Sequence, residues 1–149
     1  MNQIGFIGAG QMATALAGGI ANSKPNSTFH FYDPSETAAS RFREIVGENG
    51  QVQSCETGQH VVDRSDVVFL AVKPNYVATA TEHLDFSSNP LVISIVGGVD
   101  FPNLERILGS KRVVRVMPNT PCLIGSGAMG YARSGGKDGA SDKDIACLL

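Results

Sequence analysis

Residues 4–15 read IGFIGAGQMATA, a short apolar strand pattern that runs directly into the motif G-x-G-x-x-A. Each fixed position of this motif meets a geometric need. Gly8 permits a tight turn off the strand, Gly10 leaves the backbone open to a pyrophosphate group, and Ala13 lets the following helix pack closely. The N-terminus of that helix presents free N–H groups and the positive end of its dipole to the phosphates. The stretch therefore predicts a dinucleotide-binding turn between a first strand and a first helix.

The composition of the 149 residues is that of an ordinary globular domain, with 42% hydrophobic residues and a net charge of −2. No basic excess favours nucleic acid as a partner, and the apolar runs are too short to cross a membrane. The N-terminus lacks the charged and apolar segments of a signal peptide. Cys55, Cys122 and Cys147 are odd in number and widely spaced. We therefore expect free thiols, no metal site and a soluble cytoplasmic protein.

Strand and helix patterns alternate along the whole chain, which is typical of a parallel sheet with helices on both faces. In the first helix, Met12, Leu16 and Ile20 recur every four residues and predict one apolar face. The predicted fold class is α/β, a Rossmann-type, doubly wound, mostly parallel sheet. The expected strands are 3–7, 28–32, 51–54, 67–72, 91–96 and 112–117, with an edge strand at 128–132, and the expected helices are 11–22, 34–46, 57–63, 75–84 and 101–108.

The end of the sequence predicts the start of a further helix at 141–149. Ser141 resembles an N-cap that is followed by acidic residues, and the last five residues are apolar apart from Cys147. Because this apolar helix stops without a cap, we expect residues 1–149 to be the dinucleotide-binding domain of a longer protein.

The residues that could carry chemistry follow the predicted strands. In an open parallel sheet, ligands bind beyond the carboxyl ends of the strands, where the strand order reverses. We expect one cofactor cleft there. The segments that fall at these ends are Gly8 to Gly10, Asp33, Lys73-Pro74, Gly97-Gly98 and 118–121. No nucleophile–base pair stands out, and hydride transfer needs none, because the cofactor carries the chemistry. We therefore assign no catalytic residue.

Asp33 has two interpretations that the sequence leaves open. It lies 23 residues after Gly10 at the end of the second strand, where a carboxylate can accept hydrogen bonds from the ribose hydroxyls of NAD and would repel the 2′-phosphate of NADP. Asp33-Pro34-Ser35-Glu36 is also a good capping box with proline at the first helical position. Ser35 could instead serve a 2′-phosphate.

The later loops also have two interpretations each. Lys73 would border the nicotinamide end of the cofactor, or it would lie in solvent as strand-end lysines usually do. Gly97 and Gly98 would let the backbone approach a flat ring, or they would form a plain turn. Asn119 and Thr120, between two prolines, would offer polar groups to the cleft, or the segment would be a stiff connector.

Four segments together resemble the pyrroline-5-carboxylate reductases: GFIGAGQMATAL, SDVVFLAVKP, VISIVGGV and RVVRVMPNTP. The resemblance covers nearly the whole chain, and its most specific parts are Ala71-Val72-Lys73-Pro74 and 117–121. It implies NADPH- or NADH-dependent reduction of the cyclic imine 1-pyrroline-5-carboxylate to L-proline, the last step of proline biosynthesis. It implies cofactor contacts from Ile7, Gly8, Ala9, Gly10, Gln11 and Met12, from 71–74, and from Ile95, Val96 and Gly97. It also implies that the loop at 117–121, with Asn119 and Thr120, faces the substrate.

Two positions depart from the pattern of that family. Fifteen residues before Lys73, where members commonly carry a cofactor-contacting Asn, this chain has Gly58, and before Pro34 it has Asp33 in place of the frequent Ser or Thr. Both leave the choice between NAD and NADP open, with Asp33 leaning to NAD. Members continue into a helical dimerisation domain with the substrate motif. The resemblance thus implies a homo-oligomer, formed through a domain that this sequence does not contain, and little activity for the fragment.

Two other functions remain open. A β-hydroxyacid-type dehydrogenase shares the opening motif and would act on a hydroxy acid. A non-catalytic module that senses the redox state of NAD(P) would need the same cleft but no polar loop facing a substrate.

Overall fold

The computed structural model describes residues 2–124, 126–136 and 138–146, apart from the side chains of Thr120 and Leu123. Within these residues, seven strands form one sheet in the order β3-β2-β1-β4-β5-β6-β7. All neighbouring strands are parallel except β6 and β7. The strands are β1 (Gln3–Ile7), β2 (Thr28–Tyr32), β3 (Gln51–Ser54), β4 (Val67–Leu70), β5 (Leu91–Ser94), β6 (Val113–Pro118) and β7 (Met129–Arg133). The strand order reverses between β1 and β4, as in doubly wound nucleotide-binding sheets. The predicted fold class is confirmed.

Helices cover both faces of this sheet. The helices of the described residues are α1 (Gln11–Ser23), α2 (Glu36–Gly47), α3 (Gly58–Asp63), α4 (Val77–Thr81), α5 (Phe101–Leu108) and α6 (Asp142–Ala146), with 3-10 turns at Pro74–Tyr76 and Thr120–Ile124. One apolar cluster joins α1, α2 and α6 to one face, and a second joins α3, α4 and α5 to the other. The crossover connections therefore wind around the sheet in two directions.

Aromatic side chains form the centre of the α1–α2 side. Phe6 stacks on Phe69 with ring centroids 4.6 Å apart, and Phe42 lies 5.4 Å from Phe6. Phe6 and Phe42 are fully buried. Burial of one such side chain contributes about 2 to 3 kcal/mol to folding, so this cluster fixes β1 and β4, the strands that flank the reversal point.

Small residues let the helices approach β1 closely. The buried stripe of α1 is Ala13, Ala17 and Ala21, with Leu16 and Ile20 packed beside it. The predicted apolar face of Met12, Leu16 and Ile20 agrees in part, because Leu16 and Ile20 pack partly buried against the core, whereas the fully buried positions are the alanines. On the opposite face a Cβ on Gly5 would lie 2.7 Å from Val61 Cγ1 of α3.

Several predicted boundaries differ from the structure because the chain turns away from the sheet earlier than its apolar runs end. β4 ends at Leu70 and β5 at Ser94, not at residues 72 and 96. The helix predicted at 75–84 begins as a 3-10 turn at Pro74, whose ring fixes φ, and α4 ends at Thr81. Other elements agree closely, including the antiparallel edge strand.

A partly buried ion pair joins α6 to the start of β6. Arg112 Nη2 donates to Asp144 Oδ1 at 2.6 Å, and Asp144 Oδ2 accepts from the backbone N–H of Ser141 at 2.8 Å. The guanidinium of Arg112 lowers the pKa of Asp144 to about 2. The predicted helix start is thus present from Asp142 onward, while its last three positions, 147–149, lie outside the described residues.

Candidate cofactor cleft

The loops that follow β2, β1, β4 and β5 lie side by side along the carboxyl ends of these strands. Gly8 N–H donates to the carbonyl of Tyr32 at 2.9 Å, which ties the loop after β1 to the end of β2. Ala71 N–H donates to Ile7 O at 2.9 Å, and Ile95 N–H donates to Leu70 O at 3.1 Å. The structure therefore brings the predicted cofactor-binding segments together at the reversal point.

The two glycines of the opening motif meet different demands. Gly8 has a φ of +94°, and a Cβ there would lie 2.6 Å from the carbonyl oxygen of Ala71. Gly8 is thus required by the protein itself, since an L side chain is strained at this φ and has no room. A Cβ on Gly10 would meet no described atom within 4 Å. The absence of a side chain at Gly10 therefore leaves open space at the start of α1.

That open space faces a helix N-terminus. Gly10 precedes the first residue of α1, and among the described residues no side chain caps this helix. The first N–H groups of an α-helix have no partner within the helix, and the helix dipole adds about half a positive charge at this end. Gln11 is exposed and Met12 is half-buried. The loop and helix start therefore form a cradle for an anion.

Asp33 is bonded to this loop. Its Oδ2 accepts from the buried Ala9 N–H at 2.7 Å, and its Oδ1 accepts from Ser35 N–H at 2.8 Å. The capping-box interpretation of Asp33 is wrong: α2 begins at Glu36, and Ser35 is its N-cap, with Oγ accepting from Ala38 N–H at 3.4 Å. Pro34 therefore precedes the helix and does not occupy its first turn.

The segments after β4 and β5 form the middle of the cleft. Ala71 and Val72 are half-buried, and Lys73 and Pro74 are exposed. The solvent-exposed interpretation of Lys73 agrees with the structure, which also leaves its amine accessible to a ligand. Val96 is buried, with its N–H donating to Ser94 Oγ at 3.3 Å.

Met117 lies across from that middle segment. A Cβ on Gly97 would lie 3.7 Å from Met117 Cε, and Met117 is 51% exposed. The sequence predicts that Met117 belongs to the substrate-facing loop but gives it no role. Its position opposite Gly97 follows from the pairing of β5 with β6, which the sequence alone does not show.

The loop after β6 is folded on itself by Asn119. Asn119 Oδ1 accepts from Ala128 N–H at 3.0 Å, and Cys122 N–H donates to Asn119 O at 3.0 Å. Ser126 N–H donates to Pro121 O at 3.0 Å. Asn119 is exposed, whereas the side chain of Thr120 lies outside the described structure. The sequence offered no signal for the bond between Asn119 and Ala128.

Two cavities lie near these elements. One of about 320 Å³ lies against the end of β2, lined by Tyr32, Thr57 and Gly58 and by residues of α4. A larger one of about 460 Å³ lies on the α1 face of the sheet, lined by apolar side chains such as Leu16, Ile93 and Ile145, and it reaches Cys122 and Gly127 in the loop after β6. The smaller cavity thus lies beside the end of β2, and the larger one extends to the loop after β6.

One thiol of the described residues belongs to the loop after β6, where Cys122 Sγ donates to Asn119 Oδ1 at 3.6 Å. Cys55 is buried, and burial raises the pKa of its thiol. Cys122 is a free, half-buried thiol, and Cys147 lies outside the described residues. No group of three His, Cys, Asp or Glu side chains among the described residues could hold a metal ion. Likewise, no described helix has the length and apolar character needed to cross a membrane.

The fold and the cleft define a class: a doubly wound domain with an anion-binding glycine turn at its reversal point, the arrangement of dinucleotide-binding oxidoreductases. Residues 3–98 match the family model described as "NADP oxidoreductase coenzyme F420-dependent", and the chain belongs to that family.

Particular relatives confirm the resemblance stated from the sequence. The chain is 39% identical over 137 residues to a pyrroline-5-carboxylate reductase from Pseudomonas aeruginosa, covering 89% of this chain and 49% of that one. It is 31% identical to the solved pyrroline-5-carboxylate reductase from Coxiella burnetii, with a TM-score of 0.78 and coverage of 97% of this chain and 54% of that chain. A Plasmodium falciparum pyrroline carboxylate reductase with NADP bound gives 31% identity, a TM-score of 0.75 and coverage of 97% and 51%. The chain thus spans about half the length of the curated relatives it matches.

Proposed function

We propose that this chain supplies the dinucleotide-binding part of an NAD(P)H-dependent oxidoreductase that reduces the cyclic imine 1-pyrroline-5-carboxylate to L-proline. The observation that carries the proposal is the open space at Gly10, next to the uncapped start of α1 and inside a loop that Gly8 holds in one shape. Relatives named as pyrroline-5-carboxylate reductases, one of them solved with NADP bound, support the choice of reaction and of cofactor class.

The described residues fit such a cofactor. Ile7 to Met12 would surround the pyrophosphate, because a Cβ at Gly10 would fill space that is open and that faces free N–H groups. Asp33 or Ser35 would read the adenosine ribose at the end of β2. Residues 71–74 and 95–97 would border the nicotinamide half, where the exposed Lys73 amine and the glycines permit close approach.

When bound, the reduced nicotinamide supplies the hydride that the imine carbon accepts. The residues of this chain bind and orient, and we assign none of them a catalytic proton transfer. Asn119 and Thr120 would face the substrate from the loop after β6. For Asn119, the exposed side chain supports this assignment. Because its oxygen accepts from Ala128 N–H, the amide nitrogen is the atom that a ligand would contact.

The rest of the active site would come from sequence that the relatives carry beyond the matched half. We propose that residues 1–149 form one dinucleotide-binding domain, that the complete cytoplasmic protein is a homo-oligomer through the other domain, and that the 149 residues alone turn over little substrate. The half-length match to the relatives supports this division.

A paired titration tests the proposal. The 149-residue chain is titrated with NADH and NADPH by nicotinamide fluorescence, and the full-length gene product is assayed for cofactor-dependent formation of proline from the imine. We expect binding to the chain, with a preference for NADH because of Asp33, and imine reduction by the full-length protein. Oxidation of hydroxy acids without imine reduction, or tight cofactor binding without any turnover, would overturn the proposed reaction.

A further inference from the structure

Asp33 connects the two loops at the adenosine side of the cleft. Both oxygens of its carboxylate accept backbone N–H groups, Oδ2 from Ala9 at 2.7 Å and Oδ1 from Ser35 at 2.8 Å. A hydrogen bond to an ionised acceptor is roughly twice as strong as one between neutral groups. The carboxylate is therefore part of the scaffold of the glycine loop as well as a group beside a ribose.

Ala9 depends on this bond for its conformation. The residue is fully buried, and its carbonyl accepts from Thr14 Oγ1 at 3.3 Å. Both polar groups of its backbone thus have side-chain partners. A buried N–H that loses its partner is costly, so without the carboxylate the peptide between Gly8 and Ala9 would have to turn toward another acceptor. Such a turn would change the space beside Gly10.

We propose that Asp33 is a positioning residue that holds the glycine loop in the phosphate-binding shape, so that its loss weakens NADH and NADPH alike. The inference rests on the proposed function. It differs from ribose recognition, which each carboxylate oxygen could still provide through its second lone pair. A residue that only reads the ribose would, when replaced, weaken NADH and spare or improve NADPH, since the repulsion of the 2′-phosphate is removed.

A probe without a ribose distinguishes the two roles of Asp33, because only the positioning role affects the binding of such a probe. Asp33→Ala and Asp33→Asn both remove the charge, but only asparagine keeps an acceptor for Ala9 N–H. The 149-residue chain and both variants are titrated with NADH, NADPH and inorganic pyrophosphate, the last by the NMR shifts of the Gly10 and Gln11 amides. Asp85→Ala is the matched control, because Asp85 Oδ1 accepts from Ser87 N–H at 2.8 Å in the same local turn but lies in the connection leading to the amino end of β5.

We expect Asp33→Ala to raise the dissociation constants of NADH, NADPH and pyrophosphate by about ten-fold or more. Asp33→Asn should recover part of the pyrophosphate affinity, and Asp85→Ala should match the unsubstituted chain. Loss of NADH binding alone, with pyrophosphate and NADPH unchanged or tighter, would show that Asp33 reads the ribose and does not position the loop.

Amide hydrogen exchange tests the positioning role of Asp33 independently of the proposed function. Ala9 N–H should be protected in the unsubstituted chain and should lose protection in Asp33→Ala, whether or not a dinucleotide binds. If neither NADH nor NADPH binds the unsubstituted chain while Ala9 behaves as expected, the proposed function fails and the positioning role stands. Unchanged protection of Ala9 in Asp33→Ala contradicts the positioning role.

Discussion

The loop after β1 and the loop after β6 both lie at the carboxyl edge of the sheet, but they are held in different ways. The first is bonded to the neighbouring strand through Tyr32 O and Asp33, and Gly8 and Ala9 are buried. The second is bonded within itself through Asn119, and its surroundings expose large apolar side chains: Met117, Ile124 and Met129 are 51%, 80% and 54% exposed. The first loop is thus held in one shape by the protein's own hydrogen bonds, whereas the second lies among exposed apolar side chains.

A single methyl group at Gly8 should cause the largest loss of stability in the first loop. Gly8→Ala should lower the free energy of unfolding by about 3 kcal/mol or more, because alanine is strained at a φ of +94° and its Cβ would lie 2.6 Å from Ala71 O. Urea denaturation measures the loss. Gly10→Ala is the matched control and should cost less than about 1 kcal/mol, since its Cβ meets open space. Equal losses at the two glycines would contradict the distinction between them.

The ion pair between Arg112 and Asp144 lies at the amino end of β6, whereas the second loop follows the carboxyl end of the same strand. Because the pKa of Asp144 is lowered from 3.8 to about 2, its stabilising contribution is present above pH 4 and is lost as the pH falls toward 2. We expect about 1 to 2 kcal/mol of acid-dependent stability to disappear in Asp144→Asn, measured by urea denaturation between pH 2 and pH 6. Asp142→Asn, on the exposed side of the same helix, should retain the acid transition, and an unchanged profile in Asp144→Asn contradicts the assignment.

The smallest effect should come from the second loop itself. Asn119→Ala removes the acceptor of Ala128 N–H and should speed hydrogen exchange of that amide, with a cost of about 1 kcal/mol. Asn119→Asp keeps an acceptor oxygen and should preserve the protection. The amide of Ala9, in the first loop, should exchange at the same rate in both variants. Unchanged exchange at Ala128 in Asn119→Ala would show that another group holds this loop.

The sequence predicted the strands and their order of appearance, and β1, β2 and β3 agree with the prediction residue for residue. The continuous apolar runs at β4 and β5 predicted these strands too, but each run extends two residues beyond the strand. It could not predict which residues hold the loops. Asp33 looked like a helix cap since Ser35 and Glu36 are its neighbours in sequence, while Ala9, its partner in the structure, is 24 positions away.

The same limit applies to the second loop and to α1. The bond from Ala128 to Asn119 spans nine positions, and no repeating pattern of residues in this segment predicts it. In α1 the spacing of Leu16 and Ile20 predicted an apolar face, and both residues pack partly buried against the core, but it did not show that Ala13, Ala17 and Ala21 form the buried stripe. How closely a helix approaches a strand is a property of the assembled sheet.

If the open space at Gly10 receives the phosphates of a dinucleotide, a methyl group there should weaken binding, and titration of Gly10→Ala with NADH and NADPH measures the effect. Circular dichroism and urea denaturation first establish that the variant keeps the fold and nearly all of its stability. We expect the affinity for both cofactors to fall at least ten-fold, because the added methyl group occupies space that only a ligand would fill. A folded Gly10→Ala variant that binds NADH or NADPH as tightly as the unsubstituted chain would show that the cofactor lies elsewhere.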